Sequence, residues 1–319
     1  MRDGNSTAVA KRLGWASDAL HAAAVVSAAH RLGVLTALEA GPVHAADLAR
    51  DSHLDVHGCR VLFEALAAMG LVDAGTDGRF KPVIPELSPL GVFAGSADLL
   101  VEAVQSGRAP LECDIPAGAS QVYPDTVTYL ATLMGTDTDA VAELLHGAGR
   151  ILDVGAGAAG WSLALVRRDP RCRVTALDLA PVLAVTRRAV AEAGWPNQFE
   201  YVAGDAFEVS LPHATYDLAL LGNLCHLFDG PANRRLFRRL RPAIQDGGRI
   251  AVIDVLPAHD PDVRRSVQLY AAGLLTRTSV GGVHSAESYQ AWLHEAGFRD
   301  IRVHEASKAP PVSVVIGVA

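Results

Sequence analysis

Ile151-Leu-Asp-Val-Gly-Ala-Gly-Ala-Ala-Gly160 decides the fold. An apolar run enters a glycine turn, a helix follows, and a second apolar run ends at Asp178. Strand, turn, helix and a strand closing on a carboxylate make the nucleotide half-site of a doubly wound α/β domain. Gly155 and Gly157 let the backbone turn sharply and let a ligand come where a Cβ would clash. Asp178 can accept from ribose hydroxyls. The glycine pattern alone also fits a nicotinamide cofactor. Asp153, two residues before the first glycine, shifts the balance. A carboxylate there repels a pyrophosphate but suits a ligand with an ammonium group and no phosphate.

Outward from this segment, strands and helices alternate. Strands are expected at 150–154, 173–178, 199–203, 216–222, 249–255, 300–305 and 312–318, and helices at 160–168, 181–193, 231–244 and 285–296. Strands separated by helices imply a mostly parallel sheet covered on both faces. Only Pro310-Pro311 and a few neighbours join the last two apolar runs, too short for a crossover helix, so at least one terminal strand should be antiparallel.

The N-terminal third reads differently. Residues 15–40 carry helically spaced apolar positions (Trp15, Leu20, Val25, Val26, Leu32, Leu35, Leu38) and stop at Gly41-Pro42. A short helix at 45–50 and another at 55–69 follow, then a hairpin around Asp77-Gly78. Three helices and a small hairpin suggest a winged-helix unit. Its charge does not suit DNA, since residues 1–110 hold nine Lys/Arg against twelve Asp/Glu. Dimerisation, or a lid over a substrate, fits better. Expected divisions are 1–110 for this unit, a helical linker over 111–145 with helices at 125–134 and 137–146, and an α/β domain over 146–319.

Half of the 319 residues are hydrophobic and a fifth charged, enough for a sizeable core. The net charge of −7 argues against nucleic acid or an anionic membrane as partner. Cys59, Cys113, Cys172 and Cys225 show no C-x-x-C spacing, and no apolar run reaches membrane-spanning length. The start lacks the basic-then-apolar pattern of a signal peptide. A reduced, cytoplasmic setting is the simplest expectation.

With these residues in view, the chain resembles the two-domain S-adenosylmethionine-dependent O-methyltransferases of small molecules, plant phenolic and bacterial natural-product enzymes among them. The resemblance rests on the N-terminal unit, Asp153-Val-Gly-Ala-Gly157 and Leu177-Asp178. It continues through Gly204-Asp205-Ala206-Phe207, Asn223-Leu-Cys-His226, Gly247-Gly248 before a strand ending at Asp254, and Glu295-Ala-Gly-Phe298. It implies a Rossmann-like α/β methyltransferase domain, a winged-helix dimerisation domain, a homodimer and S-adenosylmethionine as cofactor. That cofactor has an ammonium group and no phosphate, in keeping with Asp153. By the resemblance Gly155 and Gly157 lie beside the methionine moiety, Asp178 holds the ribose, Asp205 faces the adenine amino group, and Ala206 and Phe207 shape the adenine pocket. Asn223 is carried over as a further cofactor contact. His226 is the implied general base, a role suited to imidazole, and Asp254 its partner. Asp205 can instead cap a helix, and Phe207 can be plain core.

Two departures bear on mechanism. The family's usual His-Asp pair is His226-Leu227 here, and a second acidic position of the plant enzymes falls near Val283-His284-Ser285, without a carboxylate. They leave room for carbon or nitrogen methylation, or for chemistry that binds S-adenosylmethionine without transferring its methyl: hydroxylation, decarboxylation or pericyclic reaction. Metal assistance through His226 and His284 lacks its obvious third ligand at Leu227, so no metal is expected. His21, His30, His53 and His57 read as surface or interface residues. Tyr129, Met134, Phe228 and Tyr270, with Leu274, are candidate lining for a small, largely apolar acceptor, aromatic or polyketide-like.

Overall fold

A computed structural model describes residues 2–84, 87–94, 96–133 and 138–319; Met134 lies outside them. Contacts divide the chain into two compact units, Met1–Ala97 and Asp98–Ala319. The helices after Ala97, including those over 111–145, fall within the second unit.

The first unit opens with α1 (Arg2–Arg31) and α2 (Val34–Ala40). The sequence predicts one continuous helix over 15–40, but the chain breaks at Gly33, whose φ of +73° belongs to the left-handed region that glycine tolerates. α3 (Ala45–Asp51) and α4 (Val56–Ala68) follow. Asp55 caps α4 by accepting from the Gly58 N–H at 2.7 Å. The strands β1 (Val72–Ala74) and β2 (Phe80–Pro82) form an antiparallel hairpin, and α5 (Ser88–Ala94) closes the unit. The Glu39 carboxylate accepts from the Leu87 and Ser88 N–H groups and the Ser88 hydroxyl, satisfying the orphan donors at the start of α5. Ala29, Val34, Leu35, Leu38, Phe63 and Leu66 fill a small core, with Phe80 tilted against Phe63 at 5.0 Å. Leu13, Trp15 and Leu20 stay exposed on α1 within the single chain.

The second unit begins with α6 (Ser96–Ser106, straddling the boundary), α7 (Pro116–Val122), α8 (Val127–Leu133) and α9 (Thr138–Leu144). The α/β succession is β3 (Arg150–Val154), α10 (Gly160–Arg168), β4 (Arg173–Asp178), α11 (Ala180–Glu192), β5 (Phe199–Ala203), β6 (Tyr216–Gly222), α12 (Gly230–Leu240), β7 (Ile244–Asp254), α13 (Pro261–Leu274), α14 (Ala286–Glu295), β8 (Arg299–Lys308) and β9 (Pro311–Val318). The sheet order is β5-β4-β3-β6-β7-β9-β8. The five strands β3 to β7 pair in parallel. β9 runs antiparallel to both β7 and β8, as the short Pro310-Pro311 connection requires.

Strand alternation feeds two cores. Ile151, Val174 and Leu218 pack on one face with Leu163 and Val166 of α10. Leu152, Val154, Leu177 and Leu221 pack on the other with Leu236 and Phe237 of α12 and Tyr289 of α14. β3 is flanked by β4 on one side and β6 on the other, so the chain reverses its direction of progress there. Open α/β sheets place their ligand crevice at this switch point, beyond the strand C-termini.

Candidate active site

The glycine loop leaves β3 at that switch point. Gly155 and Gly157 have φ of +69° and +54°. A Cβ on Gly155 would lie 3.1 Å from Leu224, and one on Gly157 would lie 3.4 Å from Val127 of α8. Backbone is therefore brought to the crevice where side chains would fill it. Ala159 and Asn223, neither of them glycine, also hold left-handed φ of 60° and 53° at its rim.

Asp178 ends β4 beside this loop. Its Oδ2 accepts from the Gly157 N–H at 2.9 Å and its Oδ1 from the Leu179 N–H at 2.7 Å. Each carboxylate oxygen keeps further acceptor capacity, which fits a vicinal diol. Burial raises the carboxyl to about 6 against the lowering by those two N–H groups. Asp153 behaves differently from the sequence expectation. Alternation along β3 turns its carboxyl inward, where it is 2 % exposed and accepts from the Ser162 hydroxyl at 2.5 Å. Burial carries its carboxyl up to about 7, with the Ser162 hydrogen bond opposing and Asp178 adding to the rise. A buried group so engaged is not set to receive a ligand's ammonium group.

Asp205 follows β5. Its Oδ1 accepts from the Phe207 N–H at 2.9 Å, so the side chain organises its own turn. Phe207 lies edge-on to Phe228, ring centroids 5.0 Å apart, with the Arg235 guanidinium 4.7 Å over its ring. The candidates for an adenine wall and an acceptor wall are thus direct neighbours. Arg239 Nε donates to the Ala206 carbonyl at 3.1 Å. The Asn223 side-chain oxygen accepts from Trp161 Nε1 at 3.3 Å, which fixes the amide toward α10.

His226 lies in a short turn, Cys225–Leu227, after β6. It is buried, and Asp254 at the end of β7 holds it twice: Oδ2 accepts from its backbone N–H at 3.1 Å and Oδ1 lies 2.8 Å from Nδ1. Asp254 also accepts from the Val255 N–H at 2.9 Å and the Tyr289 hydroxyl at 3.0 Å. Burial alone would push this carboxyl up. The charge and hydrogen bond of His226, with the Val255 and Tyr289 donors, bring it below its ordinary value instead. An ionised Asp254 can only accept, so Nδ1 carries the imidazole proton and Nε2 is left as an acceptor. The Tyr270 hydroxyl of α13 stands 3.3 Å from Nε2.

Four consecutive carbonyls around His226 are taken from outside the turn. Asn233 Nδ2 donates to those of Cys225 and Phe228 at 3.0 and 3.1 Å. The Gly282 N–H reaches that of His226 at 2.8 Å and the Thr278 hydroxyl that of Leu227 at 2.7 Å. A Cβ on Gly281 would fall 2.1 Å from the His226 carbonyl oxygen, so only glycine lets this segment pass so close. His284 Nε2 lies 2.8 Å from the Phe228 carbonyl oxygen and its ring packs on Tyr289 and Trp292. Among the described residues no group of three or more His, Cys, Asp or Glu is arranged to hold a metal ion.

Tyr129 lies on α8, partly buried, and burial raises its hydroxyl pKa. Arg277, three residues beyond α13, was not singled out by sequence, although it is buried with its guanidinium 5.5 Å from the Tyr270 ring centroid. A lone arginine among apolar residues carries no signal of burial. Only the tertiary fold brings it in.

A glycine-lined crevice at the switch point, next to a buried His–Asp pair, belongs to the Rossmann-like group-transfer enzymes. The family is narrower still. The O-methyltransferase domain matches residues 117–299 and the O-methyltransferase dimerisation domain matches residues 16–84. The chain is a member of this O-methyltransferase family. It is similar to 3-hydroxy-5-methyl-1-naphthoate 3-O-methyltransferase of Streptomyces sahachiroi, with 25 % identity over 92 % of this chain and 90 % of that one. It is similar also to the mitomycin biosynthesis 6-O-methyltransferase of Streptomyces lavendulae, with 27 % identity over 89 % and 86 % of the two chains. Among solved structures, human N-acetylserotonin methyltransferase in complex with S-adenosylmethionine superposes with a TM-score of 0.72 at 21 % identity, covering 97 % of each chain.

Proposed function

We propose that this O-methyltransferase carries a methyl group from S-adenosylmethionine to a hydroxyl of a small, largely apolar, aromatic or polyketide-like metabolite, with His226 as general base. The observation that carries the proposal is the buried Asp254–His226 pair at 2.8 Å beside the glycine crevice. The naphthoate and mitomycin enzymes, named for O-methylation, support the acceptor class.

The residues present fit the cofactor. Gly155 and Gly157 give a cradle that a Cβ would fill, and Asp178 keeps acceptor capacity for a diol. Asp205, Ala206, Phe207 and Asn223 are the further contacts we assign to it. Bound there, S-adenosylmethionine supplies an electrophilic methyl group on a sulfonium. The protein's part is to hold the acceptor hydroxyl at His226 Nε2, which takes its proton and leaves the oxygen nucleophilic. Asp254 keeps the proton of the resting imidazole on Nδ1 and steadies the cation formed when Nε2 is protonated. The Tyr270 hydroxyl, 3.2 Å from Nδ1 and 3.3 Å from Nε2, stands against the imidazole where the acceptor would enter. Tyr129, Phe228 and Tyr270 are the proposed lining, together with Met134, which lies outside the described residues.

For the N-terminal unit we propose a homodimer rather than a DNA contact. Leu13, Trp15 and Leu20 are apolar surface that a second copy can cover. Four free cysteines accord with a reduced, cytoplasmic compartment. Among the described residues no single helix is long and apolar enough to cross a membrane.

The test is incubation with methyl-labelled S-adenosylmethionine and a panel of hydroxylated aromatic acceptors, comparing the wild type with His226→Ala. Turnover is expected to fall about 10²–10⁴-fold, while S-adenosylhomocysteine binding by calorimetry stays nearly unchanged. Full activity in His226→Ala would make the imidazole structural and point to sulfonium-assisted chemistry without proton-coupled methyl transfer.

A further inference from the structure

Arg277 is a buried cation without a paired anion. It is 9 % exposed, and among the described residues no carboxylate lies within ion-pair distance of its guanidinium. The carboxylates of this region are engaged elsewhere. Asp254 serves His226, Val255 and Tyr289. Asp178 serves Gly157 and Leu179. Asp114 accepts from the Thr278 hydroxyl at 3.2 Å and the Ser279 N–H at 3.0 Å.

The neighbours that Arg277 does have are neutral. Its guanidinium stands 5.5 Å from the Tyr270 ring centroid, and Tyr123 and Cys113 lie close by. Burial raises the pKa of all three, that of Cys113 to about 11, so they stay neutral. None of them offsets the positive charge near neutral pH. Burying an unpaired cation is costly, and the cost is relieved when an anion arrives.

The position of the cation specifies where that anion sits. The Tyr270 ring lies 5.5 Å from the Arg277 guanidinium on one side, and its hydroxyl stands 3.3 Å from His226 Nε2 on the other. Tyr123, the second neighbour, is near enough to Asp178 for that carboxylate to add to its raised pKa. Arg277 therefore borders the space between His226 and Asp178. The backbone holds it there: the Cys113 N–H donates to the Arg277 carbonyl at 2.6 Å and the Leu111 N–H to that of Thr276 at 3.0 Å.

We propose that Arg277 is a specificity-determining residue that binds a carboxylate on the acceptor, so that the preferred substrates are hydroxyaryl carboxylates rather than neutral phenols. This rests on the methyltransferase reading of the same site. The acceptor's hydroxyl lies at His226 Nε2 and its carboxylate, a few atoms away on the same ring system, takes the guanidinium fork beside Tyr270. Methyl transfer then falls on the hydroxyl, since the carboxylate oxygens are held by Arg277 and turned away from the crevice.

The experiment compares ortho- and meta-hydroxynaphthoates with their carboxamides, which keep shape and hydroxyl but lose the charge. Both kcat/KM with labelled cofactor and acceptor binding to the S-adenosylhomocysteine-loaded protein are measured. The wild type should favour at least one acid over its amide by about 10- to 100-fold. Arg277→Gln should remove that preference through KM for the acid, leaving kcat and KM for the amide within a fewfold. Arg277→Lys should restore part of it. Equal use of acid and amide by the wild type would overturn the proposal even if Arg277→Gln did not fold, and so would an equal loss on both acceptors. Arg277-dependent binding of the acid without methyl transfer would uphold the carboxylate site and sink the methyltransferase reading. Methylation of the amides alone would do the reverse.

Discussion

Asp254 grips His226 by backbone and side chain at once, one carboxylate oxygen on the N–H at 3.1 Å and the other on Nδ1 at 2.8 Å. Two strand ends, β6 and β7, are thereby tied, and the imidazole can neither rotate nor exchange tautomer without breaking a buried charged contact. The proton acceptance we propose at Nε2 depends on that restraint.

Replacing this carboxylate should separate chemistry from binding. Asp254→Asn keeps the shape but puts an N–H₂ group where an acceptor stood, facing Nδ1, the His226 N–H or the Tyr289 hydroxyl. Turnover is expected to fall about 10²-fold or more, with S-adenosylhomocysteine affinity within a few-fold of the wild type. Because the Asp254 pKa is lowered in the folded protein, the wild type loses its contribution to stability as pH falls through that value, a loss the neutral variant should not show. A variant with unchanged kcat would remove Asp254 from the mechanism.

Asp178 should make cofactor affinity pH-dependent. Its carboxyl is raised to about 6, so the acceptor form is present above that pH and is lost as pH falls below it. S-adenosylhomocysteine binding should therefore weaken between neutral pH and about pH 5, whereas Asp178→Asn should bind weakly and evenly across the range. The ceiling is a charge-assisted hydrogen bond, about 1.5–3 kcal/mol. Calorimetry that finds flat affinity in the wild type would show that the ribose is held by something else.

Asp153 predicts a stability profile of its own. Its carboxyl is raised to about 7, against about 3.9 in an unfolded chain. Between those values the folded protein keeps a proton that the unfolded chain releases, so stability declines as pH rises, and the decline is complete above the upper value. Asp153→Asn retains an acceptor for Ser162 and has no such decline. The variant should gain stability over the wild type from about pH 5 to about pH 8, by about 1.4 kcal/mol per pKa unit at most. Parallel denaturation curves at both pH values would refute the account.

The sheet was legible because its strands are short apolar runs between turn residues. The ranges 150–154, 173–178, 199–203 and 216–222 coincide with β3 to β6. β7 starts earlier than expected, at Ile244, because the polar Gln245-Asp-Gly-Gly-Arg249 bulges out, with Gly247 at a φ of +78°, between two pairings with β6. α13 and α7 were not foreseen, though each has Pro at its start, after Asp260 and Ile115, a helix-start signal strong enough to have been used. At the site, the glycine loop, Asp178, His226 and Asp254 lie at strand ends, where position in the pattern identifies them. Arg277 and Tyr123 lie outside the strand pattern, and their neighbours are set by packing between distant segments. Asp153 was misjudged because a strand's alternation, rather than its distance from the glycines, decides which way a side chain faces.

Asn233 brings a different consequence. Its amide clamps the Cys225 and Phe228 carbonyls while its own oxygen lacks a partner among the described residues, a cost of about 1–3 kcal/mol accepted in the core of α12. The turn that carries His226 is thus anchored to α12, with Tyr270 and Arg277 on or just beyond α13. If the proposed acceptor contacts hold, substitutions along α13 retool what the enzyme grips while the imidazole stays where it is. Changes of acceptor in such a molecule come cheaply from one helix, and changes of reaction do not.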